Sequence, residues 1–519
     1  MAHPTCFVPD AASPLACDLS AQLQEPLTAL LALVADFLAC EPTPTTTFAL
    51  EQNVAAVLQG MGQILISHAF NRAEPPAEDC PARVTFGDET YRRRRKTTNL
   101  IGTRFGLIEL QRCVYECLEP GEPCRWPLEV RLGIVAGLAS PALAERVGFW
   151  SAEQEQEAVR GLLRSEHGVS WSVTSLRKVT AAVGVGVAEP GATARVERVL
   201  ELLTLAAQGA GKHRPTLAVG RDGVMVPMRR PHSATPVAEP PVSARAAHAK
   251  PRRSEAYKEA STGTISVSDR RGKRLGTVYF GQMPESGQGR LTKQLTLALT
   301  TILTTWHGRG GACPRLHYLS DGGPHQQTFF KQVLSRMADP WRPGQCLGWQ
   351  WTLDFFHACT HLWTVAESLF GNTPTAWAWY RRTRHWLRHR TTGVANLLRS
   401  ATQLRNQRKL SARRRKTFDT AYRYLRRYAN WMTYADNKRL RLPIGSGVTE
   451  AACKTVFAER LKRSGMTWGV PGGQVIVDLR VLVLSGVWDR SYAAFLQNQP
   501  LPRTASYQPP VRETPRIAA

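Results

Sequence analysis

A turn punctuated by proline and two glycines, Pro443-Ile444-Gly445-Ser446-Gly447, runs into Val448-Thr449-Glu450-Ala451-Ala452-Cys453-Lys454. It delivers one carboxylate, Glu450, into the first turn of a helix. Beyond it Cys453, Val456, Phe457 and Leu461 recur at helical spacing. Glu450 stands three residues before Cys453, so it is expected on the same buried stripe. A carboxylate at the head of such a stripe is costly unless something positive sits against it, and a divalent cation is one such partner. Lys454, Arg460, Lys462 and Arg463 make the rest of the helix basic. An acid aimed inward beside bases aimed outward suits metal-dependent chemistry on a phosphate backbone.

Charge gives the same direction for the whole chain. The 519 residues carry 67 Lys plus Arg against 41 Asp plus Glu, a formal +26, which points to a polyanion, most simply nucleic acid. An anionic membrane would want an anchor. The longest apolar stretch, Leu27 to Cys40, is interrupted by Thr28 and Asp36 and is too short to span, and the start of the chain shows no basic region before an apolar one. A cytoplasmic location is therefore expected. Eleven scattered cysteines do not make a disulfide framework. Cys80, Cys113, Cys117 and Cys124 cluster more densely, and structural zinc is a secondary reading of them beside buried or solvated thiols.

The pattern changes several times along the chain. Residues 1–75 read as helical, with a Pro/Thr-rich break at Glu41–Thr47. Residues 76–130 read as a small cysteine-containing β region, in which Arg92-Arg93-Arg94-Arg95-Lys96 is either a solvated loop or a phosphate contact. Residues 131–205 are helical again. Ser140-Pro141 starts one helix, and Ala152–Ser165 followed by Ser172–Val183 forms a helix-turn-helix candidate with Arg177 and Lys178 toward DNA. From 206 to 371 strands and helices alternate. Asp222 lies on the strand from Thr216, Asp321 at the end of the strand from Arg315, and Asp354 at the end of the strand from Gly348. The stretch 230–256 is expected to be a basic loop. Between Arg381 and Arg441 nineteen Lys or Arg face two acids, Asp419 and Asp436, with aromatics interleaved. The segment 372–442 therefore reads as a helical insertion with one face for phosphates, Arg413, Arg414 and Arg415 among them. Residues 443–492 carry the Glu450 helix, and 493–519 a Pro-rich tail.

Each acid has an ordinary reading: Asp222-Gly223 and Asp321-Gly322-Gly323 as turns, and Glu450 as a dipole partner at a helix N-terminus. Taken together, three remote carboxylates brought to one point repel one another and persist ionised only with cations between them. Oxygen ligands select Mg²⁺ or Mn²⁺. The strings Pro443–Thr455, Arg460-Leu-Lys-Arg-Ser-Gly-Met-Thr-Trp468 and Leu353-Asp-Phe-Phe-His357-Ala-Cys-Thr-His361-Leu resemble bacterial insertion-sequence DDE transposases, with the ISKra group the nearest in kind, over roughly residues 210–490. That resemblance implies an α/β, RNase H-like catalytic core, a mixed sheet flanked by helices and interrupted by the basic helical insertion, behind a mainly helical DNA-binding region. It also implies Mg²⁺, transposon-end and target double-stranded DNA, and a homo-oligomer on that DNA. Carried over by position, Asp222, Asp321 and Glu450 match the catalytic and metal-binding triad. Asp354 competes for the second place, and is read with His357 and His361 as support. Lys454, Lys462 and Arg463 are assigned to DNA phosphates. A DNA-binding protein without catalysis and a structure-specific nuclease on the same core are the rival readings.

Overall fold

The Pro/Thr-rich break is a helix start. Thr43 Oγ1 accepts from the Thr46 N–H at 3.1 Å, Thr46 Oγ1 accepts from the Thr43 N–H at 2.8 Å, and Pro44 occupies the first turn. This reciprocal cap satisfies two donors a helix start leaves open. It separates α1 (Pro14–Leu38) from α2 (Pro44–Arg72). The computed structural model describes residues 14–76, 78–119, 121–229 and 257–502. It divides the chain into two units, Met1–Gly186 with Ala493–Ala519, and Val187–Tyr492. The basic stretch 230–256 lies outside the described residues, as does the tail beyond 502.

In the first unit the helical pair leads into an antiparallel sheet of β1 (Arg83–Phe86), β2 (Glu89–Thr103) and β3 (Gly106–Cys117). The Arg92–Lys96 run is not a loop. It lies within β2, where the register shifts between Arg93 and Lys96, and a bulge lets consecutive charged side chains leave the pleat. Arg93 donates to the Cys80 carbonyl and Arg94 pairs with Glu116. After α3 (Pro127–Arg131), the helices α4 (Pro141–Glu153), α5 (Gln156–His167) and α6 (Val173–Gly186) follow. Ala152 ends α4, so the expected first helix of the helix-turn-helix is shorter than its sequence pattern. Gly168 closes α5 at φ +63°, the left-handed conformation that suits glycine.

In the second unit α7 (Ala188–Gln208) precedes β4 (Thr216–Pro227), β5 (Tyr257–Ser268), β6 (Arg274–Gln282), α8 (Gly289–Gly308), β7 (Arg315–Ser320), α9 (Pro324–Gln332) and β8 (Gln350–Leu353). The units thus divide at Gly186, and α7 goes with the sheet rather than with the helices of 131–205. The five strands stand in the order β6-β5-β4-β7-β8. The first three are mutually antiparallel, and β4, β7 and β8 are parallel. β5 is buried without alternation from Ala260 to Ser268, as a strand covered on both faces must be. Leu217, Val219, Ile265 and Val267 pack with Leu291, Leu295, Leu299 and Ile302 of α8. On the other side Val226 and Ala260 pack with Val456, Phe457, Leu461 and Val477.

Next come α10 (Phe355–Phe370), α11 (Pro374–His389), α12 (Gly393–Gln407), α13 (Ala412–Arg427) and α14 (Tyr434–Arg439). Trp379, Leu387, Leu397, Phe418 and Leu425 of this basic region join the same core as the sheet. α15 (Gly447–Ala452) continues as a π-helical turn, Cys453–Ala458, into α16 (Glu459–Leu461), followed by α17 (Val470–Leu484) and α18 (Trp488–Gln497). The single α-helix expected from Glu450 to Trp468 is therefore interrupted and ends at Leu461. Among the described residues no single helix is long and apolar enough to cross a membrane.

One glycine sets how near α15 comes to the sheet. A Cβ on Gly220 would lie 1.8 Å from Thr449 Oγ1 and 2.8 Å from Thr264 Oγ1, and those two hydroxyls are hydrogen-bonded at 2.8 Å. Gly220→Ala is expected to destabilise the protein by about 1–3 kcal/mol, the usual cost of overpacking. Gly472→Ala in α17, where a Cβ meets nothing within 4 Å, is expected to be neutral or slightly stabilising. Denaturant midpoints of the two variants check the contrast.

Candidate functional site

The register of the parallel strands places the acids. Gly220 of β4 is paired with Leu319 of β7, so Asp222 and Asp321, each two residues further on, stand at one level on one face. Leu319 is paired with Thr352 of β8, and the Asp354 N–H donates to the Ser320 carbonyl at 2.8 Å, which brings Asp354 to the same end of the sheet. Alternation along β4 turns Arg221 the other way. Its guanidinium is buried against α8, donating to Thr292 Oγ1 and to Gln288.

Asp222 Oδ1 accepts from the Gly223 N–H at 2.8 Å, and its Oδ2 lies 3.5 Å from Cys453 Sγ. Burial pushes its carboxyl up to about 6, and the negative charges of Asp321 and Glu450 push in the same direction. The three acids expected from the sequence are thus close enough to act on one another. Burial also pushes the Cys453 thiol up to about 12, with Asp222 adding to the effect, so Cys453 faces Asp222 as a neutral S–H donor.

Glu450 sits differently from expectation. It is exposed, not buried on the apolar stripe; that stripe belongs to Cys453, Val456, Phe457 and Leu461, all buried. The buried acid is Asp354, 0 % exposed. It caps α10 through the His357 N–H at 2.5 Å and accepts from both the backbone N–H and the hydroxyl of Ser446, the latter at 2.9 Å. Ser446 Oγ also lies 3.0 Å from Glu450 Oε1. Asp354 therefore fixes the turn that presents Glu450, a positioning role. The single Ser446 proton serves one of the two carboxylates at a time.

The loop after β7 is held from the basic region. Tyr424 of α13 donates to the Asp321 carbonyl at 2.6 Å. Tyr428 and the side-chain amide of Gln327 both donate to the Gly322 carbonyl. Gly322 has φ +81°, and a Cβ there would lie 2.9 Å from Leu353 and Tyr428. His361 stacks on the Tyr424 ring with centroids 3.8 Å apart, and His357 packs edge-on to both. Burial lowers the His361 pKa to about 4, with His357 contributing. These histidines support Tyr424 rather than bonding Asp354 through their rings. The sequence reading missed Ser446, Tyr424, Tyr428 and the Gly220–Thr449 contact. Of these only the tyrosines carried a signal, an i, i+4 pair on one helix face.

Among the residues expected on phosphates, Lys454, Lys462, Arg413, Arg414, Arg415, Arg177 and Lys178 are exposed. Arg463 is half-buried and its Nε donates to the Glu459 carbonyl. Arg177 also donates to Gln156. Arg460, expected to point outward, is 1 % exposed and lies over the Trp468 ring. The cysteine group also differs. Cys80 has Cys113 as a near partner, Sγ to Sγ 3.3 Å, and the third member is Glu74 rather than Cys117 or Cys124. Glu74 accepts the Cys113 N–H at 2.6 Å, and burial pushes the Cys113 thiol up to about 12. The trio is satisfied by its own hydrogen bonds.

Comparison with protein-family models and with curated proteins yields no match.

The raised Asp222 pKa gives a linkage test. The folded state holds this proton more tightly than the unfolded chain, so ionised Asp222 destabilises above pH 6. The cost shrinks as the pH falls through 6 and is gone below about 4. Asp222→Asn is expected to gain about 1–2 kcal/mol at pH 8 without divalent ions, and the gain should vanish on acidification. Mg²⁺ should raise the melting temperature of the wild type and not of the variant. Thermal melts across pH, with and without Mg²⁺, read both effects.

Proposed function

We propose that the chain is a DNA transposase whose second unit is an RNase H-like catalytic core. The observation that carries this reading is the strand order β6-β5-β4-β7-β8 with Asp222 on the central strand, Asp321 level with it beyond the neighbouring parallel strand, and Glu450 acting on the same point from a later helix. An RNase H-like core sets one acid on its first strand, a second at the end of its fourth, and a third on a helix. In this unit those are β4, β7 and α15. The donor set fits a hard divalent cation: three carboxylates, one of them held partly protonated by its neighbours until a positive charge arrives.

Asp222, Asp321 and Glu450 would hold Mg²⁺ or Mn²⁺. Such ions, when bound, activate a water or a sugar hydroxyl and steady the leaving oxygen of a phosphodiester. The chain's own residues do the rest. β4 and β7 fix Asp222 and Asp321 on neighbouring strands. Tyr424 and Tyr428 hold the Asp321 loop, and Asp354 with Ser446 sets the turn before Glu450. Cys453 and the Gly223 N–H orient the Asp222 carboxylate. Lys454 and Lys462, exposed beyond Glu450, would take backbone phosphates beside the acids, and Arg413, Arg414 and Arg415 those further along the duplex. Arg177 and Lys178 on α6 would meet the transposon end.

Asp222→Asn and Glu450→Gln should leave DNA binding within a few-fold and lower Mg²⁺-dependent cleavage by at least about 10²-fold. Binding is read by fluorescence anisotropy, and cleavage on duplexes carrying the repeats that flank the gene. Cleavage at wild-type rate in both variants overturns the triad. A pre-cleaved end incubated with target DNA separates the rivals: joined product supports transposition, and cutting without joining supports a nuclease on the same core.

A further inference from the structure

The phosphate chemistry leaves the first two helices unused. Every acid in residues 14–72 (Asp18, Glu25, Asp36, Glu41, Glu51) is answered by one base, Arg72, a net charge of −4 (1 − 5) within a chain of +26. Nucleic acid and anionic lipid are thus poor occupants for this surface, whereas its pattern is that of a helix packed twice. One seam on α1, Leu23, Leu30, Leu33 and Phe37, is half-buried and faces α2, the helix it packs on. A second seam lies one position later, Leu27, Leu31, Val34 and Leu38, at spacings of four, three and four residues. These four are 49 %, 64 %, 44 % and 77 % exposed. None of the described side chains of α1 is buried. On α2 Leu58 and Leu65, one heptad apart, are also exposed. Spacings of three and four over three turns make a coiled-coil seam, whose knobs need a facing helix of the same period.

The remaining large apolar side chains exposed in the described residues are scattered, and none repeats this spacing. A two-helix layer with an apolar outer face is half of a four-helix arrangement. A second identical layer related by a twofold axis completes it, because such an interface opposes each patch to itself. The size fits. With 1.5 Å per residue and helices about 10 Å apart, the α1–α2 face measures roughly 37 by 20 Å, about 700 Å² per copy, against the roughly 800 Å² per partner of a stable interface. We propose that the α1–α2 hairpin is a self-association surface, on which a second copy of this chain docks through the Leu27–Leu31–Val34–Leu38 seam. This goes beyond the catalytic reading and does not depend on it.

The test uses the full chain, treated with nuclease and held in high salt, which dissolves assemblies bridged by DNA and leaves apolar contacts intact. Sedimentation velocity of the wild type at micromolar concentration should give twice the 57.5 kDa chain mass. The triple variant Leu27→Gln, Leu31→Gln, Leu38→Gln should give a single chain mass with unchanged helical circular dichroism, since glutamine keeps helix propensity. A wild type that sediments as one chain, or a folded triple variant that keeps the doubled mass, overturns the proposal. Should the triple variant lose its helical signal, a photo-reactive residue at position 31 of the otherwise native chain decides. Crosslinks to α1 or α2 of a second copy support the surface, and crosslinks only within one chain, or to other parts of a second copy, overturn it.

Discussion

Mutual repulsion of carboxylates at one end of a sheet is the constraint around which the second unit is built. Asp222, Asp321 and Glu450 gather where strands β4 and β7 end, and the crowding shows in the Asp222 pKa, lifted first by burial and then by its two neighbours. A chain left to itself would spread these charges apart. Here the backbone forbids it: two of the acids are locked two residues beyond a parallel strand pair, and the third follows a turn tied down by a fourth, fully buried acid. Asp354 affords its burial by accepting three hydrogen bonds, two from Ser446 and one from the start of its own helix, so its desolvation is offset by donors.

The basic region is part of the same construction. Its leucines and aromatics belong to the sheet's core, and two tyrosines of α13 reach the backbone of the Asp321 loop. A long charged stretch between two halves of a core could have been an appended arm. Instead, folding α13 and ordering the Asp321–Gly323 loop are one event, because the loop's carbonyls find donors on that helix. Polar groups in such a network are worth most when all are satisfied.

Much of this was legible from residue order. The alternation of strand and helix from Thr216 to Leu353, the acids at strand ends and the helical basic segment follow from periodicity and turn chemistry, which act locally. What escaped was contact between remote segments. Glu450 reads as buried because it shares a stripe with Cys453, but the helix begins only three residues before it, and at that first turn the side chain still faces solvent. Arg460 reads as exposed because it is charged, whereas the π-helical turn rotates it under Trp468. Cys80 reads as isolated because its partner, Cys113, is thirty-three residues away across a strand. Ser446 is one small residue between glycines, and nothing local marks it as the bond between two carboxylates.

The π-helical turn at Cys453–Ala458 sets a rule for how this segment can change. Such a turn holds one residue more than an α-helical turn of the same rise. Removing any one residue between Glu450 and Arg460 would let the helix relax to ordinary winding and swing everything downstream by about 100°. Phe457 and Leu461 would leave the apolar cluster while Glu450 stayed in place. Point substitutions here are filtered one side chain at a time, but the count of residues is held by geometry, so related chains should vary in letters along this stretch and not in length.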